Sequence, residues 1–165
     1  MKKIVSYMMT GILLLSFLLT GCGSPEPQTG KKMSMYYINT AETKVEVHEQ
    51  YLNTKTLDEQ LDETMRYLST TPEKLEYKAP LDMGFRVLDY EVEDGKLLIN
   101  VDKAYSELSP TTEVLVRAAI VRTLTQLPNV KYVGITVEDS QLYDNAGEMV
   151  AWMNADQFIN NDGNE

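Results

Sequence analysis

The stretch that decides the fold is residues 109–137, SPTTEVLVRAAIVRTLTQLPNVKYVGITV. Ser109 is a favourable N-cap, and Pro110 falls at the first helical position, where its missing N–H is not needed. An apolar face with helical spacing follows, and Pro128 disfavours helical geometry before it, so the helix should end near Leu127. The residues of this face are Val114, Leu115, Ala118, Ala119, Val121 and Leu124.

After Pro128 the hydrophobic period changes from helical to alternating, which is typical of a strand. The two faces of this predicted strand carry Val133, Ile135 and Val137 on one side and Tyr132, Gly134 and Thr136 on the other. Residues 109–137 therefore predict a buried helix followed by a core strand. This unit is a core on which the rest of the chain packs, and it is not by itself an active site.

Residues 85–102 predict a β-hairpin. Asp94-Gly95 is the signature of a two-residue type I′ turn. Pairing about this turn places apolar residues opposite one another on a single face, so the turn and the hydrophobic pattern indicate the same register. The predicted pairs are Val92 with Leu97, Tyr90 with Ile99, and Leu88 with Val101.

Residues 56–69 predict a shorter helix that begins with a capping box made of Thr56 and Glu59. One face is apolar, and the opposite face is acidic and is interpreted as solvated, with a docking surface as the alternative. The apolar stripe consists of Leu57, Leu61, Met65 and Leu68. The acidic face consists of Asp58, Glu59, Asp62 and Glu63. Residues 71–84 are expected to be irregular.

Residues 33–39 and 44–50 predict two strands, because both are rich in β-forming residues. In the second strand Val45 and Val47 share one face, and His48 lies on the opposite, solvated face. His48 is the only histidine in the chain. A ligand or general base at this position would need partners that the neighbouring sequence does not supply, so His48 is interpreted as a solvated strand residue.

The C-terminal part predicts small elements that pack on this core. Residues 144–147 predict a turn and residues 148–153 an extended segment. Asn154 is a candidate cap for a short helix that ends at Ile159. The two side chains expected to pack on the main domain are Trp152 and Phe158.

The N-terminus predicts an export signal. Two lysines precede an apolar run that ends in Leu19-Thr20-Gly21-Cys22, which resembles the lipobox of bacterial lipoproteins. By this resemblance residues 1–21 are removed and Cys22 becomes the lipidated first residue. The alternatives are an uncleaved signal anchor, since the run approaches the length that spans a bilayer, and a buried core helix.

The remaining chain divides into a tether, one domain and a tail. Residues 22–32 comprise the lipidated Cys22 and a flexible polar tether, and residues 33–159 form the single folded domain. Residues 160–165 are expected to be a disordered tail.

Charge and composition restrict the partners and cofactors. The formal net charge is −10, which makes the protein a poor binder of nucleic acid or anionic lipid, so membrane attachment would come from the lipid. Cys22 is the only cysteine, which excludes an intramolecular disulfide and a zinc site built on cysteines. A single histidine excludes a multi-histidine metal site. We therefore expect no cofactor and no metal.

No catalytic signature is present. The sequence contains no G-x-S-x-G, Walker A, H-E-x-x-H or S-x-x-K motif. Glycoside hydrolysis needs only two carboxylates, and the chain has 25 acidic residues, so composition alone does not rule it out. No carboxylate occupies an apolar sequence setting that would raise its pKa, and the prediction is a protein that is not an enzyme.

A family resemblance follows from the order of these motifs. A DG hairpin, then S-P-x-x-E, then A-x-I-V-x-T-L-T-Q-x-P-x-V-x-x-V-x-I-x-V resembles the GerMN domain of bacterial spore-germination, sporulation and other envelope lipoproteins. The residues that match are Ala119, Ile120, Val121, Thr123, Leu124, Thr125, Gln126, Pro128, Val130, Val133, Ile135 and Val137. Residues 35–37, MYY, match the start of the domain, and residues 142–149 look like its C-terminal turn.

The resemblance covers residues 33–159 and implies an α/β fold of the α+β sandwich type. It has a small mixed β-sheet with two main helices packed on one face. The chain departs from the family in carrying a single copy and in replacing the Gly-Pro after the first helix with residues 69–72, STTP. The family supplies no catalytic residues. Thr125 and Gln126 follow its motif and are expected to bond the last-turn carbonyls or the turn.

The resemblance implies a non-catalytic lipoprotein on the outer face of the cytoplasmic membrane. Its domain would serve as an interaction or assembly module, with sporulation or germination as the setting. The expected partners are the membrane, through the lipid, and envelope proteins, but no nucleic acid. The alternative is a binding module for a cell-wall polymer or small ligand, and a third reading is a carboxylate hydrolase. Stacking surface for sugars could come from Tyr36, Tyr37, Tyr132, Tyr143 and Trp152.

Overall fold

The computed structural model describes residues 30–71, 76–144 and 146–158. The predicted signal peptide, Cys22, most of the tether and the 160–165 tail lie outside these residues. The described elements are β1 (Lys31–Asn39), β2 (Val45–Leu52), α1 (Leu57–Leu68), β3 (Tyr77–Lys78), β4 (Val87–Glu93), β5 (Lys96–Val101), a 3-10 turn (Lys103–Glu107), α2 (Pro110–Leu124), β6 (Tyr132–Val137), β7 (Ser140–Gln141) and a second 3-10 turn (Ala155–Gln157).

The strands form two sheets. The first is antiparallel, with the order β2-β1-β3. The second has the order β4-β5-β6-β7 and is mixed, because β5 and β6 run parallel while the outer pairs are antiparallel. Together with the two α-helices of the described residues this confirms the predicted α+β class. The strands that a single small mixed sheet was expected to hold are divided between two sheets, of which only the second is mixed. One hydrophobic core joins both sheets and both helices.

Helix α2 lies between the sheets and contacts β1 and β6. Its predicted start is confirmed, since the Ser109 hydroxyl accepts a hydrogen bond from the Thr112 N–H at 3.2 Å and Pro110 begins the helix. The prediction that Val114 is buried is wrong, because Val114 is exposed while Val116 and Ile120 are fully buried. A helix covered from two sides buries a wide arc of its surface, and Val114 falls on the arc that remains.

Helix α1 has the predicted capping box, in which Glu59 N–H donates to the Thr56 hydroxyl and Thr56 N–H donates to the Glu59 carboxylate. The prediction that Glu63 is solvated is wrong. The loop before α1 folds back over its second turn, and the buried Glu63 carboxylate accepts hydrogen bonds from Asn53 N–H at 3.1 Å and Thr54 Oγ1 at 2.8 Å. The carboxylate therefore satisfies loop donors instead of facing water.

The hairpin is confirmed, with one correction to its register. Asp94 and Gly95 both have positive φ, as a type I′ turn requires, and Val92 pairs with Leu97 and Tyr90 with Ile99. An irregularity between Val87 and Asp89 places Val87 opposite Val101. The predicted partner, Leu88, is instead exposed. A bulge shifts one residue out of the ladder, and the hydrophobic pattern by itself does not reveal it.

The predicted faces of β2 are reversed. His48 pairs with Met35, whose side chain is fully buried, and its ring lies 6.5 Å from that of Tyr37. His48 is therefore half-buried on the inner face, and Val47 is exposed on the outer one. Strand β1 supplies the buried residues and so sets the register, while β2 lies at the edge of the sheet, where burial is incomplete on both faces.

The C-terminal segment largely follows the prediction. Met153 forms a bridge with Val133, and Tyr143 forms another with Met149, so the segment after the turn is extended. The short helix is a single 3-10 turn that ends at Gln157, and Ile159 lies outside the described residues. Strand β3 lies in the stretch expected to be irregular, because a two-residue strand has too little pattern to be recognised.

Candidate functional site

The two faces of the second sheet differ in what covers them. Its inner face is buried in the core, while several side chains on the opposite side are exposed, so neither helix covers that side. We name that side the open face. The cross-strand register and the alternation of side chains assign to it Asp89, Glu91 and Glu93 of β4, Lys96, Leu98 and Asn100 of β5, and Tyr132, Gly134 and Thr136 of β6.

Trp152 is held flat against this face. Val133 and Met153 exchange two backbone hydrogen bonds of 2.8 Å, which aligns the C-terminal segment with β6. The Trp152 ring lies over Gly134, where an added Cβ would come within 2.7 Å of the ring. The Lys96 Nζ lies 5.3 Å from the ring centroid. Glycine at position 134 is therefore what allows the indole to lie against the strand.

Tyr143 and Met149 extend the apolar surface beyond β7. Gln141 pairs with Thr136, Leu142 is buried in the core, and Tyr143 therefore returns to the side of the open face. Its turn is ordered by Asp144, whose carboxylate accepts hydrogen bonds from the N–H groups of Ala146 and Glu148, each at 2.9 Å. The exposed fractions are 40% for Tyr132, 38% for Trp152, 60% for Tyr143 and 59% for Met149. We name these four residues the apolar strip.

The opposite border of the open face is acidic. Asp89, Glu91 and Glu93 lie at alternate positions of β4, and we name them the acidic column. Asp89 serves the structure, because its carboxylate accepts a hydrogen bond from the buried Asn100, whose amide also donates to Asp139. The carboxylates of Glu91 and Glu93 are exposed.

Only some of the five aromatic residues that were predicted as a stacking surface for sugars lie on the open face. Tyr37 is a core residue, stacked on Tyr77 with 6.2 Å between ring centroids, and burial raises its pKa to about 12. Tyr36 is half-buried beneath the Arg122 guanidinium, 4.1 Å from the ring centroid. The structure places Tyr132, Trp152 and Tyr143 on the same side of the second sheet, and it adds Met149, which lacks the aromatic signal used to choose the others.

The polar residues of the T-L-T-Q motif serve the fold. Thr125 donates to the Val121 carbonyl at 2.8 Å, and the Gln126 side chain donates to the Arg122 carbonyl, as expected of last-turn residues. Gln126 also accepts a hydrogen bond from Ser34 N–H at 3.0 Å and donates to the Ser34 carbonyl at 2.7 Å. Its amide thus pairs with the edge of β1 as a neighbouring strand would.

The buried and half-buried carboxylates are engaged by partners. Glu113 forms an ion pair with Arg117, with 2.7 Å between Nε and Oε1, and accepts a hydrogen bond from the Tyr105 hydroxyl at 3.1 Å. Burial raises the pKa of Tyr105 well above its usual value. The hydrogen bond from Lys78, followed by that from Thr112, lowers the pKa of Glu42. These carboxylates hold elements together.

Two open clefts are lined largely by residues that already have structural roles. One of about 450 Å³ is lined by Asn53, Thr54, Glu59, Asp62, Glu63 and Arg66, and of these Glu59 caps α1 and Glu63 holds the preceding loop. The other, of about 540 Å³, lies between β1, the end of α2 and the second 3-10 turn.

Within 30–71, 76–144 and 146–158 no group of three or more His, Cys, Asp and Glu side chains could hold a metal ion. In the same residues no helix has the length and apolarity needed to span a membrane.

The model of the Germane family, described as sporulation and spore germination, matches residues 34–143. No curated protein gives a significant match. The chain is similar to the tandem GerMN domains of the sporulation protein GerM from Bacillus subtilis, with 18% identity, a TM-score of 0.54, and coverage of 82% of this chain and 49% of that one. The chain thus spans about half of that protein.

Two further solved structures are similar. The first GerMN domain of the same GerM gives 14% identity and a TM-score of 0.56, covering 73% of this chain and 94% of that one. A candidate lipoprotein from Clostridium perfringens gives 16% identity and a TM-score of 0.51, covering 82% and 95%. At these identities the structures establish a common fold, and the resemblance inferred from the T-L-T-Q-x-P region is confirmed.

Proposed function

The chain belongs to the Germane family of sporulation and spore germination proteins, and from this premise we propose that it is a non-catalytic, lipid-anchored envelope protein. Its folded domain is an interaction or assembly module that acts outside the cytoplasmic membrane during sporulation or germination. The observation that carries this proposal is the open face. Four of the seven exposed large hydrophobic side chains among the described residues belong to the apolar strip. A concentration of exposed apolar surface is typical of a protein interface.

The anchor of this module is Cys22. The similar C. perfringens structure is described as a candidate lipoprotein, and the lipobox-like residues precede a polar stretch that leads directly into β1 at Lys31. The eight tether residues that separate Cys22 from the start of β1, 23–30, reach at most roughly 29 Å when fully extended. The domain therefore works close to the membrane surface, and its partner must be present there.

Metabolic labelling with an alkyne fatty acid tests the anchor. We expect the wild-type chain to take up label and to lose its 21-residue signal, and the Cys22→Ser variant to remain unlabelled and longer. Ser24→Ala, which leaves the lipobox residues intact, is the matched control and should behave as the wild type does. Equal labelling of the Cys22→Ser variant would show that the lipid is attached elsewhere.

Photo-cross-linking in sporulating cells tests the interaction surface. A photoreactive residue at position 132 probes the open face, and one at Val114 on α2 probes a similarly exposed apolar position away from that face. We expect position 132 to capture a defined envelope protein and position 114 not to capture it. The same protein captured equally from both positions would contradict the assignment of the open face.

Binding to a cell-wall polymer is the second candidate function. It is favoured by Tyr132 and Trp152, which share one uncovered sheet face and have Lys96 beside them. Sedimentation with purified peptidoglycan tests this function. It would be supported if the wild-type protein sediments with the polymer and the Tyr132→Ser variant does not. If neither protein sediments, binding to a cell-wall polymer is contradicted.

A further inference from the structure

We propose that the open face binds an amphipathic α-helix of a partner protein, with the basic flank of that helix on the acidic column and its apolar flank on the apolar strip. This inference rests on the proposed function and identifies the kind of partner. It derives from the charge pattern of the open face and not from the resemblance to other proteins.

The two borders of the open face differ in their chemistry. The cross-strand register places Glu93, Lys96 and Tyr132 in one row, and Glu91, Leu98 and Gly134 in the next, where Trp152 covers Gly134. Each row therefore begins with a carboxylate on β4 and ends with an aromatic ring at β6. A ligand that lies along the strands meets negative charge on one flank and apolar surface on the other.

The width of this face suits a helix. Neighbouring strands lie about 4.8 Å apart, so β4 and β6 are separated by roughly 10 Å. An α-helix with its side chains is about 10–12 Å across, which matches the spacing between the acidic column on β4 and the part of the apolar strip that lies on β6, Tyr132 and the Trp152 ring over Gly134. Helices that pack on both faces of a sheet are a common layered architecture, and here the inner face already has its helices.

Charge selects a polypeptide over the other candidates. Glu91 and Glu93 outnumber Lys96, the one cation among the residues assigned to the open face. A phosphate-bearing polymer would therefore be repelled, and a neutral glycan would leave the surplus carboxylate without a complement. A second copy of this chain is a poor occupant, because the net charge is −10 and the exposed face of α1 is itself acidic. Lysine and arginine side chains beside leucine or aromatic ones complement both borders at once.

The experiment uses the full-length protein in nanodiscs of zwitterionic lipid. The probe is an 18-residue helical peptide of Lys, Leu and Ala, and the reference peptide has each Lys replaced by Glu. Trp152 is the only tryptophan, so its emission reports directly on the open face. We expect the Lys peptide to change this emission in a salt-dependent way and the Glu peptide to leave it unchanged, after subtraction of the signal with empty nanodiscs.

Two matched variants decide whether position or total charge matters. The Glu91→Gln/Glu93→Gln protein should bind the Lys peptide about tenfold more weakly at low salt, since two exposed ion pairs with the peptide are lost. The Asp58→Asn/Asp82→Asn protein loses the same charge at exposed positions elsewhere and should bind within about twofold of the wild type. Equal weakening in both variants, or in neither, would overturn the proposal.

A further arm separates this inference from the proposed function. If position 132 still captures its envelope protein in cells with undiminished yield after Glu91→Gln/Glu93→Gln, the interaction module stands and the basic-helix assignment fails. A change of Trp152 emission with soluble peptidoglycan fragments, without any response to the Lys peptide, would also overturn it and would favour the polymer. Loss of the cellular cross-link in the Glu91/Glu93 variant alone supports it.

Discussion

The junction between α2 and β1 and the open face of the second sheet use polar and aromatic residues in opposite ways. At the junction, Thr123 and Gln126 bind the backbone of β1 and Arg122 covers Tyr36. Elsewhere on α2, Glu113 is paired with Arg117 and accepts a hydrogen bond from Tyr105. On the open face, Glu91, Glu93 and Tyr132 are exposed. The family motif therefore marks the residues that build the fold, and the residues available to a partner lie outside its T-L-T-Q core.

This difference has an energetic origin. A polar group buried at the junction must find a partner, because leaving it unpaired costs about 1–3 kcal/mol, and more when it is charged. An exposed group can bind water, so the fold does not specify its partner. Substitutions of the buried polar groups of α2 should therefore be costly, and substitutions on the open face should be nearly silent with respect to stability.

The largest effect should come from Glu113→Ala. It leaves the largely buried Arg117 guanidinium without its carboxylate and removes the acceptor of the Tyr105 hydroxyl, so the free energy of unfolding should fall by about 3 kcal/mol. Urea denaturation followed by circular dichroism measures this. The exposed Glu107→Ala is the control, with a change within about 0.5 kcal/mol. If the Glu113→Ala protein is as stable as the control, the expectation that buried polar groups of α2 are costly to unpair is contradicted.

Gln126→Ala should have the next largest effect. It removes both hydrogen bonds to Ser34 and leaves the edge of β1 without this partner, which should cost about 2–3 kcal/mol. Thr125→Ala removes only a bond within its own helix and should cost less than about 1 kcal/mol. If the two substitutions cost the same, the edge-pairing role of Gln126 is wrong.

Gly134→Ala tests the contact between the Trp152 ring and strand β6 on the open face. The new Cβ would collide with the Trp152 ring, which must move away from β6 at a cost of about 1–3 kcal/mol. Trp152 emission should shift to the red as the indole becomes hydrated. In the Trp152→Ala background the same glycine substitution should cost distinctly less, because the collision is gone. Equal costs in both backgrounds would mean that the indole does not press on the strand.

The smallest effect on stability should come from Glu91→Gln/Glu93→Gln. These exposed side chains lie beside one another on an edge strand, so the free energy of unfolding should change by no more than about 0.5 kcal/mol. Thermal unfolding of the wild type and the double variant measures it. A loss of several kcal/mol would show that the acidic column is part of the fold, and its use as a docking surface would then be untenable.

Local signals in the sequence predicted most of the fold. The caps at Thr56 and Ser109 and the Asp94-Gly95 turn act within a few residues, so their chemistry can be read without knowing what packs nearby. The errors occurred where a distant element decides the outcome. Val114, Glu63 and the faces of β2 were misassigned because burial there depends on which sheet or loop arrives from elsewhere in the chain.

The candidate site was predicted only in part. Tyr132, Tyr143 and Trp152 could be chosen as aromatic residues, but the same rule selected Tyr36 and Tyr37, which belong to the packing of β1. The acidic column gave no sequence signal, since its carboxylates alternate with the apolar residues of an ordinary amphipathic strand. Met149 became part of the strip only because the turn at Asp144 places it opposite Tyr143.

The sequence by itself determined the order of the elements, their caps and turns, the acidic charge and the resemblance to the GerMN domain, because each of these depends on neighbouring residues or on composition. Only the tertiary structure decided that Gln126 pairs with the edge of β1, that Trp152 lies over Gly134, and that Glu91 and Glu93 face the apolar strip across one sheet. These features join residues far apart in the chain, and their partners are set by strand register and by the packing of α2 between two sheets.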